Sequence, residues 1–528
     1  MGRGRGPDRP DNPVEPDQAR AHGNDPDAVE VHRSTDGGGT GVRTGQESAD
    51  GYYEGIPSQN LPPMAFKDMP EPLSLRKVLG PSVILTGLGV GSGEYIIWPF
   101  VAANVGIAML WAAIVGVTCQ FFINMEVERY TLATGETAVA GFARYWKPFG
   151  IVFCFLAVIP FIFPGWATSA ITILTFLTPL SDGAIPYVSI IALIAIGIAL
   201  TVSPVVYNTV EKAEFFKVGL TIVFLLIAIL AVLIPRGGAV ADLGSIVTNF
   251  GQIRTSETVT IATLLGALVF AGAGGAINLV QSNYIRDKGF GMGYYIPKIV
   301  SPITGEEVAA PATGSMIRQD EANLDRWNRW WRVANTEQFI TFWVICIFSI
   351  GTFSLLAYAT VFGKGIAEAA DFTFIQAEGE ALKNIVGGWF GNLFWIFGVL
   401  SLLLTALAII DNISRLVADA LKTVYLTNSS ISESRIYFIV VWGMIAVGTA
   451  ILLAGLDTPL FLLVLSSCLN GFVMVLYIIL LMVLNRGGLP DAIKLKGVRL
   501  GMMVVCLLFF GFFAGWLILA QVQGFLAA

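Results

Sequence analysis

Gly87-Leu-Gly-Val-Gly-Ser-Gly-Glu-Tyr-Ile-Ile-Trp-Pro-Phe100 lies inside the first long apolar run of the chain. Glycines alternate at Gly87, Gly89, Gly91 and Gly93, an ionisable Glu94 follows, and Pro99 closes the stretch. Each glycine costs a helix about 1 kcal/mol relative to alanine, so four in alternation predict an interrupted helix. A carboxylate near mid-membrane costs about 2.5–3.5 kcal/mol on insertion scales and faces a cavity or a partner. Interrupted helices with polar groups at the interruption are how many secondary transporters build a substrate site. The competing reading is a glycine-packed helix contact with Glu94 reaching the membrane surface.

Composition sets the class. The chain has 528 residues, of which 55% are hydrophobic and 13% charged, and its mean hydropathy is +0.70. Soluble domains carry about 25% charged residues, so this is a polytopic membrane protein. The formal charge is −6, and residues 1–60 account for −5 of it. The acidity therefore says nothing about what the membrane part handles. Cys119, Cys154, Cys346, Cys468 and Cys506 all fall in apolar runs without metal-type spacing, which reads as buried, inert thiols. The two histidines, His22 and His32, lie in the N-terminal tail, leaving none in the membrane to relay protons or ligate metal.

Residues 1 to about 70 are rich in Asp, Gly, Arg and Pro and are expected to be disordered. About eleven spans follow by apolar length, near 80–100, 107–127, 149–178, 186–206, 214–235, 259–281, 336–361, 386–410, 436–454, 458–484 and 500–523. With the N-terminus inside, 22 basic residues fall on the inner side and 4 on the outer. That asymmetry predicts N-in, C-out. The expected organisation is a disordered cytoplasmic tail (1–72), a first five-helix repeat (73–235), and an outer loop with a broken sixth helix (236–285). A cytoplasmic insertion (286–335), the rest of the second repeat (336–485) and a final helix (486–528) follow. Within the insertion, Leu324-Asp-Arg-Trp-Asn-Arg-Trp-Trp-Arg-Val333 reads as a basic amphipathic helix lying along the membrane interface. A segment tethered between two spans makes nucleic acid a poor partner. The outer stretch 361–385, with Glu368, Asp371, Glu378 and Glu380, reads as a solvated acidic loop rather than a cation funnel.

The sixth span repeats the signal of the first. Ala271-Gly-Ala-Gly-Gly-Ala-Ile-Asn278 interrupts it at Gly272, Gly274 and Gly275. Interruptions five spans apart are what two five-helix halves related by an inverted repeat give, with the eleventh helix appended. The candidate ion site gathers Glu94 as the charged ligand and Ser92 as a hydroxyl. Carbonyls near Gly91, Ala271 and Gly272 join them, with the amides of Asn278 and Asn470. An all-oxygen set suits a hard divalent cation such as Mg²⁺ or Mn²⁺, and it suits Na⁺ or an organic cation equally. Asn278 is either a ligand or an interhelical hydrogen bond, and Asn470 either a ligand or packing glue. Asp411-Asn412, followed by Arg415, reads as a cap or local ion pair rather than part of an ion exit.

Several motifs carry a family resemblance. Gly80-Pro81 precedes Gly91-Ser-Gly-Glu94, followed by Gly106-Ile-Ala-Met-Leu-Trp111, Gln120, Glu128-Arg129 and Thr134-Gly-Glu136, while Leu264-Leu-Gly-Ala-Leu-Val269 leads into the sixth interruption. Over roughly residues 75–525 the chain resembles the Nramp family of proton-coupled divalent metal transporters, as a divergent subgroup. The resemblance implies an all-α membrane protein of LeuT-like inverted-repeat fold. The family's aspartate position matches Gly91, its proline Ser92 and its asparagine Glu94. Its Met-Pro-His-Asn element falls near Phe270-Ala-Gly-Ala273. The thioether that favours soft metals and the proton-linked histidine are therefore absent, as the thioether is from Nramp-related magnesium transporters. The carboxylate stands three residues further along.

The expected function is a multi-pass plasma-membrane secondary transporter moving a divalent cation by alternating access, with Glu94 and Asn278 as metal ligands and no cofactor. The alternatives are a Na⁺- or proton-coupled transporter of a small organic solute, and a non-transporting sensor. The spans contain no nucleophile–base pair and no phosphate-binding Gly-Lys-Ser/Thr loop, which argues against an enzyme or an ATP-driven pump.

Overall fold

The structure is a computed structural model, and it describes residues 51–72, 80–202, 206–296, 313–366 and 370–527. Among them, ten helices are long and apolar enough to cross a membrane. In chain order the helices are α1 (Pro81–Val105), α2 (Ile107–Thr134), a short α3 (Ala138–Tyr145), α4 (Phe149–Thr175), α5 (Asp182–Val202) and α6 (Val210–Arg236). The sixth expected span is absent from the ten because it is two short pieces, α7 (Ile261–Val269) and α8 (Ala276–Lys288). Then come α9 (Glu321–Thr360), a short α10 (Thr373–Ile385), α11 (Gly388–Val424), α12 (Glu433–Leu453), α13 (Pro459–Gly487) and α14 (Val498–Gln523).

Local chemistry sets the helix ends. Pro81 and Pro459 occupy first-turn positions, where a missing N–H does no harm. Gly135 ends α2 in the left-handed region at φ 75°, and the side chains of Thr260 and Ser432 cap α7 and α12. Pro164 and Gly165 divide α4 into two pieces, Phe149–Phe161 and Gly165–Thr175. Burial sorts the bundle. The most apolar window of α1 is entirely buried, whereas those of α5 and α14 are 28% and 33% buried. The helix carrying Glu94 is therefore central and those two are peripheral. Around α1 pack α6, α8, α9 and α11. The five cysteines are free and buried, as expected.

Three expectations need correcting. Residues 51–72 are folded rather than part of a disordered tail. Strand β1 (Tyr52–Tyr53) pairs antiparallel with β2 (Met64–Lys67), and β2 pairs in parallel with β3 (Met316–Ile317). Tyr53, Ile56, Leu61, Met64 and Met69 are buried beneath this strap. Arg144 locks it down, donating to the Pro62 carbonyl at 3.0 Å and to both oxygens of Glu136 at 2.6 and 2.8 Å. Burial pushes the Glu136 carboxyl up, but Arg144 overrides this and holds it below the usual carboxylate range. The remainder of the expected tail, residues 1–50, lies outside the described residues.

The Trp-rich segment is the second correction. It does not lie alone along the interface but runs without a break into the seventh span as one 40-residue helix, α9. No glycine or proline stands between Glu321 and Ser349 to stop it. Trp327 and Trp330 are buried, and the Trp330 indole donates to the Pro70 carbonyl at 2.8 Å. The outer acidic stretch is the third. Residues 373–385 form α10, and Glu378 is buried rather than solvated.

Candidate functional site

The glycines of α1 are points of contact. A Cβ on Gly87 would stand 1.7 Å from Glu214 Oε2, and one on Gly91 2.0 Å from Thr405 Oγ1. A Cβ on Gly89 would stand 2.8 Å from the Cα of Gly272, and one on Gly93 1.6 Å from the carbonyl oxygen of Phe270. Alternate glycines thus admit α6, the sixth-span interruption, α11, and the interruption again. The first span is not unwound, contrary to expectation. It continues from α-helix (Pro81–Ser92) through a π-helical turn (Gly93–Ile97) back to α-helix (Trp98–Val105). Close packing on every side offsets the low helix propensity of the glycines. Glu94 sits in the π turn, a local widening frequent at functional sites.

The sixth span is interrupted between Val269 and Ala276. Gly272 adopts φ 99°, and Gly275 adopts φ 81°, ψ −149°, a region open in practice only to glycine. Side chains from two other helices satisfy the loose ends. Gln120 of α2 donates to the Val269 carbonyl at 2.9 Å and the Leu268 carbonyl at 3.3 Å. Asn470 of α13 accepts the Ala276 N–H at 3.1 Å and donates to the Ser466 carbonyl at 3.1 Å. Gln120 was visible in the sequence as one of the motif residues of the second span, with no sign that it holds the sixth interruption.

Glu94 is completely buried. Ser349 of α9 donates to its Oε2, while its Oε1 has no hydrogen-bond partner. That free oxygen lies against Gly89, 3.0 Å from where a Cβ would be. The Gly89 backbone in turn touches the Gly272 backbone. The carboxylate is thus held where the glycines of the first and sixth spans meet. Ser92, two residues before it, is also buried, and so are Gly91, Ala271 and Gly272. Asn278 is engaged elsewhere. Its Nδ2 donates to Asn124 Oδ1 at 2.5 Å, and its Oδ1 accepts the Tyr477 hydroxyl at 2.8 Å. Asp411 forms an ion pair with Arg415 at 3.0 Å and accepts the hydroxyls of Tyr284 and Tyr437 at 2.9 and 2.7 Å.

Sequence reasoning missed a second charged pair. Lys217 was counted among the inner-side basic residues, at the start of the expected 214–235 span, but it lies two turns into α6 and is buried. Its ammonium is 2.8 Å from Glu214 Oε2 and 2.9 Å from Thr405 Oγ1. The pair's i, i+3 spacing, which puts both groups on one helix face, was the available signal. Among the described residues no group of three or more His, Cys, Asp or Glu side chains is placed to hold a metal ion.

No known protein family matches the sequence, and neither does any curated protein. Solved structures do match. A histidine-to-alanine mutant of the Eremococcus coleocola manganese transporter superposes with TM-score 0.61 at 13% identity, covering 88% of this chain and 91% of that one. The same transporter bound to an aromatic bis-isothiourea substituted compound gives TM-score 0.62 at 12% identity, over 89% and 92% of the two chains. The chain therefore has, over nearly its whole length, the fold of these manganese transporters, the LeuT-like architecture that the sequence resemblance implied, and it is a multi-pass membrane protein.

Proposed function

We propose that this chain is a secondary active transporter that carries a divalent metal cation across the plasma membrane by alternating access, with the N-terminus inside and Glu94 as the charged ligand. The observation that carries this reading is the Glu94 carboxylate, fully buried at the meeting of the first and sixth spans with one oxygen unpartnered. An uncompensated buried carboxylate is expensive, and a cation is its natural complement. The Ser349 hydroxyl is bonded to it, and the Ser92 hydroxyl and backbone oxygens near Gly91, Ala271 and Gly272 are further hard donors on the same two stretches, a set that suits Mg²⁺ or Mn²⁺. Because Asn278 and Asn470 already hold the sixth span together, they serve the site as scaffold. The manganese named for the structural neighbours agrees in kind. Glu94→Gln keeps the side-chain shape and removes the charge. It should abolish saturable Mn²⁺ or Mg²⁺ uptake into proteoliposomes while the protein still inserts and purifies. Undiminished uptake by that variant would overturn the reading.

One observation favours a second reading, a cation-coupled transporter of a small organic solute. A buried ammonium, Lys217, is paired with Glu214, which packs on Gly87, one glycine along α1 from the Gly89 that Glu94 touches, and an ammonium near the site repels a doubly charged ion. Binding calorimetry with Mn²⁺, Mg²⁺ and small amines separates the two, because only the metal reading requires metal binding that Glu94→Gln eliminates.

A further inference from the structure

The Glu214–Lys217 pair is not used by the reading above, yet its placement is specific. Glu214 and Lys217 come from α6, Thr405 from α11, and the space they occupy is vacated by Gly87 and Gly91 of α1. Three central helices thus meet on one ammonium. Its oxygen neighbours are those a small alkali cation would take: a carboxylate at 2.8 Å and a hydroxyl at 2.9 Å. Thr405 Oγ1 donates its own proton to the Ser401 carbonyl at 2.8 Å, so it faces Lys217 with a lone pair. Glu214 Oε1 is buried and has no partner, so the oxygen cage is larger than the ammonium needs. An isolated helix-stabilising ion pair requires neither the hydroxyl from α11 nor glycines on α1. A salt bridge this deep gains little stability over an apolar pair of the same size.

We propose that Lys217 is a tethered monovalent cation: its ammonium permanently fills a cation site made by Glu214 and Thr405 at the junction of α1, α6 and α11. It supplies there the positive charge that a dissociable Na⁺ would otherwise bring. The chain thereby carries its second cation covalently, and the substrate cation at Glu94 moves without Na⁺ at this position. The identification of the site rests on geometry alone, and the statement about substrate movement rests on the transport reading above.

The test needs no substrate. The full chain is purified in detergent and its thermal unfolding followed at constant ionic strength, with Na⁺ exchanged for choline. Wild type should show no difference between the two cations. Lys217→Ala should unfold earlier in choline and recover with Na⁺ in a saturable manner, by about 3 °C or more. Glu214→Gln combined with Lys217→Ala should lose that response, because the cage no longer carries charge. A folded Lys217→Ala indifferent to Na⁺, or a wild type as responsive as the variant, would overturn the proposal. If Lys217→Ala survives purification only in Na⁺, the proposal stands. If it survives in neither cation while the neutral pair Glu214→Gln, Lys217→Met is stable, the cage takes no free ion and the proposal falls. Failure of Glu94→Gln to block metal uptake would leave these outcomes unchanged, so the two ideas fail separately.

Discussion

Gly87, Gly89, Gly91 and Gly93 keep the negative φ of a helix, whereas Gly272 and Gly275 take φ of 99° and 81°. The first span therefore stays continuous through a π turn, and the sixth comes apart into α7 and α8. Both stretches are glycine-rich, and both lack a Cβ where another element presses in. In the first span glycine supplies space. In the sixth it supplies space and also a backbone conformation that an L side chain resists. The two uses complement each other, because the smooth face of α1 is what lets the Phe270 carbonyl approach Gly93 and the Gly272 backbone approach Gly89 so closely.

Alanine substitution separates the uses. Gly93→Ala should be the most damaging, because its Cβ would lie 1.6 Å from the Phe270 carbonyl oxygen, a backbone atom with no rotamer to escape to. Overpacking of this kind costs about 3 kcal/mol or more where nothing can yield. We expect a large fall in the yield of folded protein and in its unfolding midpoint. Gly275→Ala should come next, combining about 1–3 kcal/mol of backbone strain with a clash 2.0 Å from Asn470 Oδ1. Here the obstruction is a side chain, so Asn470→Ala in the same molecule should relieve the clash and leave the strain. That second substitution should do nothing for Gly93→Ala. A rescue of equal size at both positions would erase the distinction between the two spans.

The contrast also explains which parts of the molecule could be read from sequence. Ten of the apolar runs became helices long and apolar enough to cross a membrane, and the sixth interruption followed from three glycines within four residues. Glycine composition carries no sign of φ, so the first span looked as broken as the sixth. Lys217 was counted with the inner-side basic residues because it stands at the start of the expected 214–235 span, where the uninterrupted apolar run begins only at Val218. The strap at 51–72 escaped notice because its anchors are remote in sequence: Tyr53 reaches the Gly488 carbonyl, and Met69 N–H reaches Asn323. Its apolar residues are thinly spread among prolines and charges. Glu94 was legible because an ionisable residue in a span admits few bland explanations, whereas Ser349, which binds it, looks like any serine in a helix.

The smallest expected effect probes how the sixth interruption is held. Asn470 accepts the Ala276 N–H from outside, as a cap does for a free helix start, and losing such a cap costs about 1 kcal/mol. Asn470→Ala should therefore lower stability modestly, and its effect should be local. Hydrogen exchange should quicken in the first turn of α8, from Ala276 to Leu279, where the half-helix loses its external anchor. The π turn from Gly93 to Ile97 should be unaffected, because its hydrogen bonds are made within α1 and no side chain caps it. Faster exchange in both places would mean that the two interruptions open as one cooperative unit, with the Gly89–Gly272 contact transmitting the loss. Faster exchange in α8 alone would mean that the sixth span can loosen beside an α1 that stays put, so that movement around Glu94 begins on the side of the divided helix.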